Sequence, residues 1–158
     1  KDAVEAAMII LEMTAYYKKR GMTLIDALDS LYARYGYYSE RTVDVYMEGL
    51  DGIEKRRRVM SALRENTPTE FGGAAVKSFA DYKTGRIVNL SGGETSSTDQ
   101  PSSDVLYYTL ENDDKIIVRP SGTEPKIKIY ILAHGDDRAA LEKKVELYGE
   151  AVKNITEA

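Results

Sequence analysis

Ile116-Ile117-Val118-Arg119-Pro120-Ser121-Gly122-Thr123-Glu124-Pro125-Lys126-Ile127-Lys128-Ile129 is the stretch on which the reading of this chain turns. Its two ends are hydrophobic and its middle is short and polar. Lys126–Ala133 alternates, with Ile127, Ile129 and Ile131 on one face and Lys128 and Tyr130 on the other, which is the period of a strand. Lys115–Arg119 reads as a second strand, so the polar segment joins two strands. That segment contains what a phosphate needs. Arg119 offers a rigid fork of donors that matches two phosphate oxygens. Ser121 and Thr123 each carry a hydroxyl, and Gly122 lets its backbone N–H approach an anion closely. Pro120 and Pro125 restrict both shoulders of the loop, which lowers the entropy lost on binding. No nucleophile stands beside a base and there is no carboxylate pair, so the loop grips without reacting. On composition alone, a plain hairpin turn with a surface arginine explains the same residues equally well.

Working outward, the next strand back is Val105–Leu110, joined to Lys115–Arg119 by the hairpin Glu111-Asn112-Asp113-Asp114. Beyond Lys126–Ala133 a helix is expected from about 136 to 155, with Leu141, Val145, Tyr148, Val152 and Ile155 as its apolar stripe. Upstream, Thr42–Met47 alternates as a strand with Val43, Val45 and Met47 on one face. A helix over 51–66 follows, with Leu50, Ile53, Met60 and Leu63 on its inner side and Pro68 beyond its end. Val76–Tyr82 and Arg86–Leu90 are strands around the turn Lys83-Thr84-Gly85. Residues 89–104, rich in Ser, Gly, Thr and Asp, read as a loop. From about residue 39 onward the order is β-α-β-β-β-β-β-α, an α+β domain built on a mostly antiparallel sheet with helices on one face.

The first 38 residues differ. Ala3–Tyr17 is apolar almost all round, a pattern normally buried on several sides in a larger protein. A second helix starts at a capping box, Thr23 with Asp26, and ends at Gly36. These two helices read as the tail of an upstream α/β domain: residues 1–38 belong to it, and 39–158 to the domain that carries the loop. The start Lys1-Asp2-Ala3-Val4 lacks a basic n-region and cleavage site, and reads as a cut inside a longer protein.

The totals narrow the choices further. With 158 residues, 42% hydrophobic and 30% charged, the chain has an ordinary globular balance. A net charge of −4 gives no reason to expect nucleic acid. The run Glu54-Lys55-Arg56-Arg57-Arg58 reads as a solvated helix face. There is no cysteine and one histidine, so disulfides, thiolate metal sites and histidine-rich metal sites are excluded. His134 reads as a turn or cap residue. No stretch reaches the ~20 apolar residues that span a bilayer. No membrane partner is expected, and absence of cysteine agrees with a cytoplasmic location.

Arg119-Pro120-Ser121-Gly122-Thr123-Glu124-Pro125-Lys126 resembles the phosphate-binding signature of the final domain of α-D-phosphohexomutases, in its place between a strand and a Lys-Ile-Lys-Ile strand. The resemblance covers essentially the whole chain. Lys1-Asp2-Ala3 is similar to a segment closing an active-site loop of the family's third domain. Leu31-Tyr32-Ala33-Arg34-Tyr35-Gly36-Tyr37-Tyr38 is similar to the exit from that domain. Asp81-Tyr82-Lys83-Thr84-Gly85 and Pro101-Ser102-Ser103-Asp104-Val105-Leu106 resemble the bacterial phosphoglucomutase and phosphopentomutase group. The resemblance implies a TATA-binding-protein-like final domain. It also implies a parent isomerase that interconverts glucose 1-phosphate and glucose 6-phosphate through glucose 1,6-bisphosphate, with a phosphoserine and aspartate-bound Mg²⁺ on domains outside this chain. By the same resemblance Arg119, Ser121, Gly122 and Thr123 hold the substrate phosphate, Lys126 is a further candidate, and Lys1 matches an active-site lysine. The implied partners are a phosphosugar and the remaining domains of the same enzyme. Ribose and mannose phosphates are the alternative substrates, and a free-standing phosphate- or phosphosugar-binding module or a structural interaction domain are the alternatives of another class.

Overall fold

Residues 2–47, 49 and 51–157 are described by a computed structural model. The element order is α1 (Ala3–Lys18), α2 (Leu24–Tyr35), β1 (Tyr37–Tyr46), α3 (Gly52–Glu65), β2 (Glu70–Phe71), β3 (Ala74–Asp81), β4 (Arg86–Asn89), β5 (Thr95–Ser97), β6 (Leu106–Leu110), β7 (Lys115–Pro120), β8 (Lys126–Gly135) and α4 (Arg138–Glu157). The chain divides into two units, 1–37 and 38–158.

The first unit is the helical pair. Asp2 caps α1 by accepting from the Val4 and Glu5 N–H groups at 3.1 and 2.9 Å. The capping box forms as its residues predict: Asp26 N–H donates to Thr23 Oγ1 at 3.1 Å, and Thr23 N–H donates to Asp26 Oδ2 at 2.7 Å. Gly36 follows α2 with φ +83°, a conformation that favours glycine. Val4, Met8, Ile9, Ile10 and Leu11 of α1 are each more than half exposed.

In the second unit the strands form an eight-stranded sheet in the order β1-β8-β7-β6-β3-β4-β5, with β2 paired to β3. The β6–β7 and β7–β8 ladders are antiparallel, with Tyr108 opposite Ile116 and Val118 opposite Ile129. Met47 N–H donates to the Pro125 carbonyl at 2.7 Å, while Tyr38 stacks on His134 at the other end, so β1 also runs antiparallel to β8.

Alternation puts Val43 and Val45, Leu106, Tyr108 and Leu110, Ile116 and Val118, and Ile127, Ile129 and Ile131 on one buried face. Met60 and Leu63 of α3, and Leu141, Val145, Tyr148 and Val152 of α4, are buried with them. Ile155 is only half-buried, and Thr156 is buried in the last turn of α4. Burying these aliphatic and aromatic side chains is worth roughly 1.5–3 kcal/mol each, which makes this face the main source of stability.

The structure departs from the sequence reading in several places. β1 begins at Tyr37, earlier than expected, because its first half pairs along an exposed edge and carries no apolar alternation. Within 89–104 a short strand, β5, adds to β4, with Ile87 opposite Ser96. Ile53 is 55% exposed and not on the inner side of α3. Leu50, placed on that inner side by the sequence pattern, lies outside the described residues, as does Lys1.

Candidate functional site

The connection between β7 and β8 is held from several directions. Ser121 N–H donates to the Lys126 carbonyl at 2.9 Å and Lys126 N–H to the Glu124 carbonyl at 2.8 Å, which closes the loop on itself. Ser121 Oγ accepts from Glu124 N–H at 3.3 Å, and the residue is buried. Its hydroxyl therefore shapes the turn, and its proton is still available to donate. From α3, Arg56 donates to the Ser121 carbonyl, and to the Glu124 carbonyl at 3.0 Å. Gly52, at the start of α3, is packed so closely that a Cβ there would lie 2.1 Å from the Met47 carbonyl oxygen and 3.4 Å from Pro125 Cβ. The loop thus rests on rigid elements, as a preformed anion site requires.

The residues expected to hold phosphate take different positions on this scaffold. Arg119 is exposed near the end of β7, directly opposite Lys128 in the β7–β8 register. Both point to the face away from the buried isoleucines. Among the described residues neither makes an ion pair. Like charges directly opposite on adjacent strands are destabilising unless something offsets them, and an anion would. Gly122 and Thr123 are exposed at the tip. A Cβ at Gly122 would meet nothing within 4 Å, so the space beside its Cα is open.

Lys126 is otherwise engaged. Its ammonium is buried and sits 2.9 Å from Asp44 Oδ2, 3.0 Å from Glu124 Oε2 and 3.3 Å from Tyr46 Oη. The hydrogen bonds it donates to Asp44, then to Glu124 and Tyr46, hold its pKa well above the ordinary lysine value. It ties the loop to β1, and its charge is already matched. Lys128 was not singled out by the sequence reading. The alternation placed it on the outer face; only the register with Arg119 shows two unmatched cations side by side.

A larger concavity lies elsewhere. A groove of about 830 Å³ lies between β1, α3 and α4, with Lys55, Arg58 and Lys153 around Val45, Val59 and Leu63. None of the loop's donors reaches it. The smaller cleft of about 280 Å³ formed by Ile53, Arg56, Gly122, Thr123 and Pro125 adjoins the loop.

Comparison with known proteins identifies the family. Residues 54–149 match the model of the phosphoglucomutase/phosphomannomutase C-terminal domain. A probable phosphomannomutase of Haemophilus influenzae is 35% identical over 156 residues, covering 98% of this chain and 28% of that protein. A phosphoglucomutase of Staphylococcus aureus (strain MRSA252) is 37% identical over 131 residues, covering 83% of this chain and 24% of that protein. The chain therefore spans about a quarter of the length of these relatives. The crystal structure of the Paramecium phosphoprotein pp63/parafusin, a phosphoglucomutase in its open form, aligns with a TM-score of 0.57 and 16% identity over 99% of this chain and 27% of that one, a likeness of fold. A family model over most of the second unit and a relative matched along nearly the whole chain lead to one statement: this chain belongs to the phosphoglucomutase/phosphomannomutase family and carries its C-terminal domain.

Proposed function

We propose that this chain supplies the phosphate-holding end of a phosphosugar mutase that interconverts glucose 1-phosphate and glucose 6-phosphate. The observation that carries the reading is the Arg119–Lys128 pair, two unmatched cations facing solvent beside an open loop with free donors at Gly122 and Thr123. Together they offset the charge of a phosphate dianion. The planar Arg119 fork fixes its orientation, and the Thr123 hydroxyl and loop amides complete the donor set. Ser121, with its oxygen committed to the Glu124 amide, acts mainly as the prop of the turn.

Holding the phosphate that is not reacting supplies binding energy remote from the chemistry, which orients the sugar for transfer at its other end. The loop has no nucleophile–base pair, so the chain by itself is expected to transfer nothing. The phosphoserine that resemblance implies would lie in the remainder of the protein, and glucose 1,6-bisphosphate would be the shared intermediate. Among the described residues no three acidic or histidine side chains cluster as a metal site. The implied Mg²⁺ would likewise be held outside this chain, and no step here runs through it. Lys1 would belong to the active site only as part of that larger assembly. Mannose and ribose phosphates are the alternative substrates; the first is the one named by the Haemophilus relative. Cytoplasm is the compartment this metabolic role implies.

The test is Arg119→Ala in the full-length protein. Losing hydrogen bonds to a charged group removes about 1.5–3 kcal/mol, so kcat/KM for glucose 1-phosphate should fall roughly 10- to 100-fold with the melting temperature little changed. Unaltered kinetics would overturn the assignment.

A further inference from the structure

Arg56 belongs to a charged run whose neighbours behave as a solvated helix face. Lys55 pairs with Asp51 at 3.2 Å and Arg57 with Glu54 at 3.5 Å, both at the surface. Arg56 does not. It is half-buried, and its Nη1 donates to two carbonyls 65 and 68 residues further along the chain, those of Ser121 and Glu124. These two carbonyls bracket Gly122 and Thr123.

We infer that Arg56 is a positioning residue that presets the loop for anion binding, an inference that rests on the phosphate-holding reading above. The reason lies in the peptide unit. In a trans peptide the C=O and the following N–H lie in one plane and point in opposite directions. There is no cis bond among the described residues. Drawing the Ser121 carbonyl toward α3 therefore aims the Gly122 N–H away from α3, into open space. The Gly122 and Thr123 N–H groups have no hydrogen-bond partner among the described residues, so both are left for a ligand. A flip of the Ser121–Gly122 peptide would replace that donor with a carbonyl oxygen, which repels phosphate.

The other restraints do not prevent such a flip. Ser121 N–H to Lys126, Lys126 N–H to Glu124 and Glu124 N–H to Ser121 Oγ fix the ends of the loop and leave the Ser121 carbonyl untouched. Among the described residues Arg56 is its only donor. Arginine suits the task because Nη1 alone carries two N–H donors, one for each carbonyl, on a planar group that holds their directions fixed. Its charge also offsets the two carbonyl dipoles close to the site.

The full-length protein should be compared in four forms: wild type, Arg56→Ala, Arg56→Lys and Arg119→Ala. The measurements are mutase kinetics with glucose 1-phosphate, melting temperature, and the Gly122 amide resonance in glycine-labelled protein titrated with inorganic phosphate. The expected result for Arg56→Ala is a KM raised about tenfold with kcat less affected, and a Gly122 resonance that is displaced without ligand and responds weakly to phosphate. Arg56→Lys keeps the charge, but its stem is one bond shorter and does not carry a donor to the place of Nη1 between the two carbonyls. It should show the same displacement, and it provides the reading if the alanine variant folds poorly. Loss of function in Arg119→Ala with normal KM and normal Gly122 response in both Arg56 variants would overturn the positioning role alone. Normal behaviour in Arg119→Ala as well would overturn the phosphate reading and this inference with it.

Discussion

Removing the Asp114 carboxylate should strongly destabilise the second unit, because the group is wholly buried and serves four neighbours. Its side chain is 0% exposed and lies 2.7 Å from Lys144 Nζ. Tyr148 Oη donates to it at 3.0 Å, Asn112 Nδ2 at 2.8 Å and His134 N–H at 3.0 Å, with His134 Nδ1 at 3.1 Å. Lys144 also donates to the His134 carbonyl at 2.7 Å, so the β6–β7 turn, β8 and α4 are joined at one point. Breaking a buried pair by removing one partner costs about 3–5 kcal/mol. Lys144 keeps 28% exposure and can regain water, which brings the figure toward the lower end, about 3–4 kcal/mol. For a unit of this size each kcal/mol moves the melting temperature by roughly 3–5 °C, so Asp114→Ala should lower it by about 10–20 °C. The assay is thermal melting followed by circular dichroism, with Lys144→Met and the double variant added. The double variant should be less destabilised than the two singles combined, since they share one interaction. A loss below about 1 kcal/mol would refute the argument, as would strict additivity.

Two further outcomes follow from the packing. Gly52→Ala places a methyl group 2.1 Å from the Met47 carbonyl oxygen and against Pro125, so it should cost at least about 1–3 kcal/mol in melting experiments and also weaken phosphate binding through the loop's shoulder. Burial, with Asp114 adding and the Asn112 hydrogen bond opposing, pushes the Tyr148 hydroxyl up to about 12, and burial pushes Tyr108 up as well. Their protonated forms are favoured in the folded state, so this stability is full below the ordinary tyrosine value of about 10 and is lost as pH rises from there to about 12. Melting temperature against pH should therefore fall steeply in that window, and Tyr148→Phe should make the fall shallower.

The regular parts of the fold were legible because their periodicity is local. Ile127, Ile129 and Ile131 alternate, and Leu141, Val145, Tyr148 and Val152 repeat at helical spacing, so strand and helix could be read with their buried faces. Features that depend on register or distant partners were not. Thr95–Ser97 has no apolar residue to mark it, and it becomes strand only by pairing with the edge of β4. Ile53 fits a core residue by spacing, but the start of α3 packs against the Met47 carbonyl and Pro125 through the bare backbone of Gly52, and Ile53 is exposed. At the candidate site, the motif marks Arg119, Ser121, Gly122 and Thr123 as the residues to test. The bond from Lys126 to Asp44 crosses 82 positions, and that from Arg56 to Ser121 crosses 65, distances at which a sequence pattern carries no signal. The reading of Arg56 as solvated was the bland expectation for a charge run, and it holds for Arg57 and Lys55 but not for Arg56.

The central claim, that the β7–β8 connection holds a phosphate, is tested most directly by titrating the isotopically labelled chain with inorganic phosphate and with glucose 6-phosphate while following backbone amides. Two or three charge-assisted hydrogen bonds set against the entropy of association leave on the order of −4 kcal/mol, a millimolar dissociation constant. The account predicts saturable shifts in that range for both ligands, confined to residues 119–128 and to Arg56, and absent in Arg119→Ala. Shifts centred on the groove lined by Lys55, Arg58 and Lys153, or no shift at tens of millimolar, would contradict it.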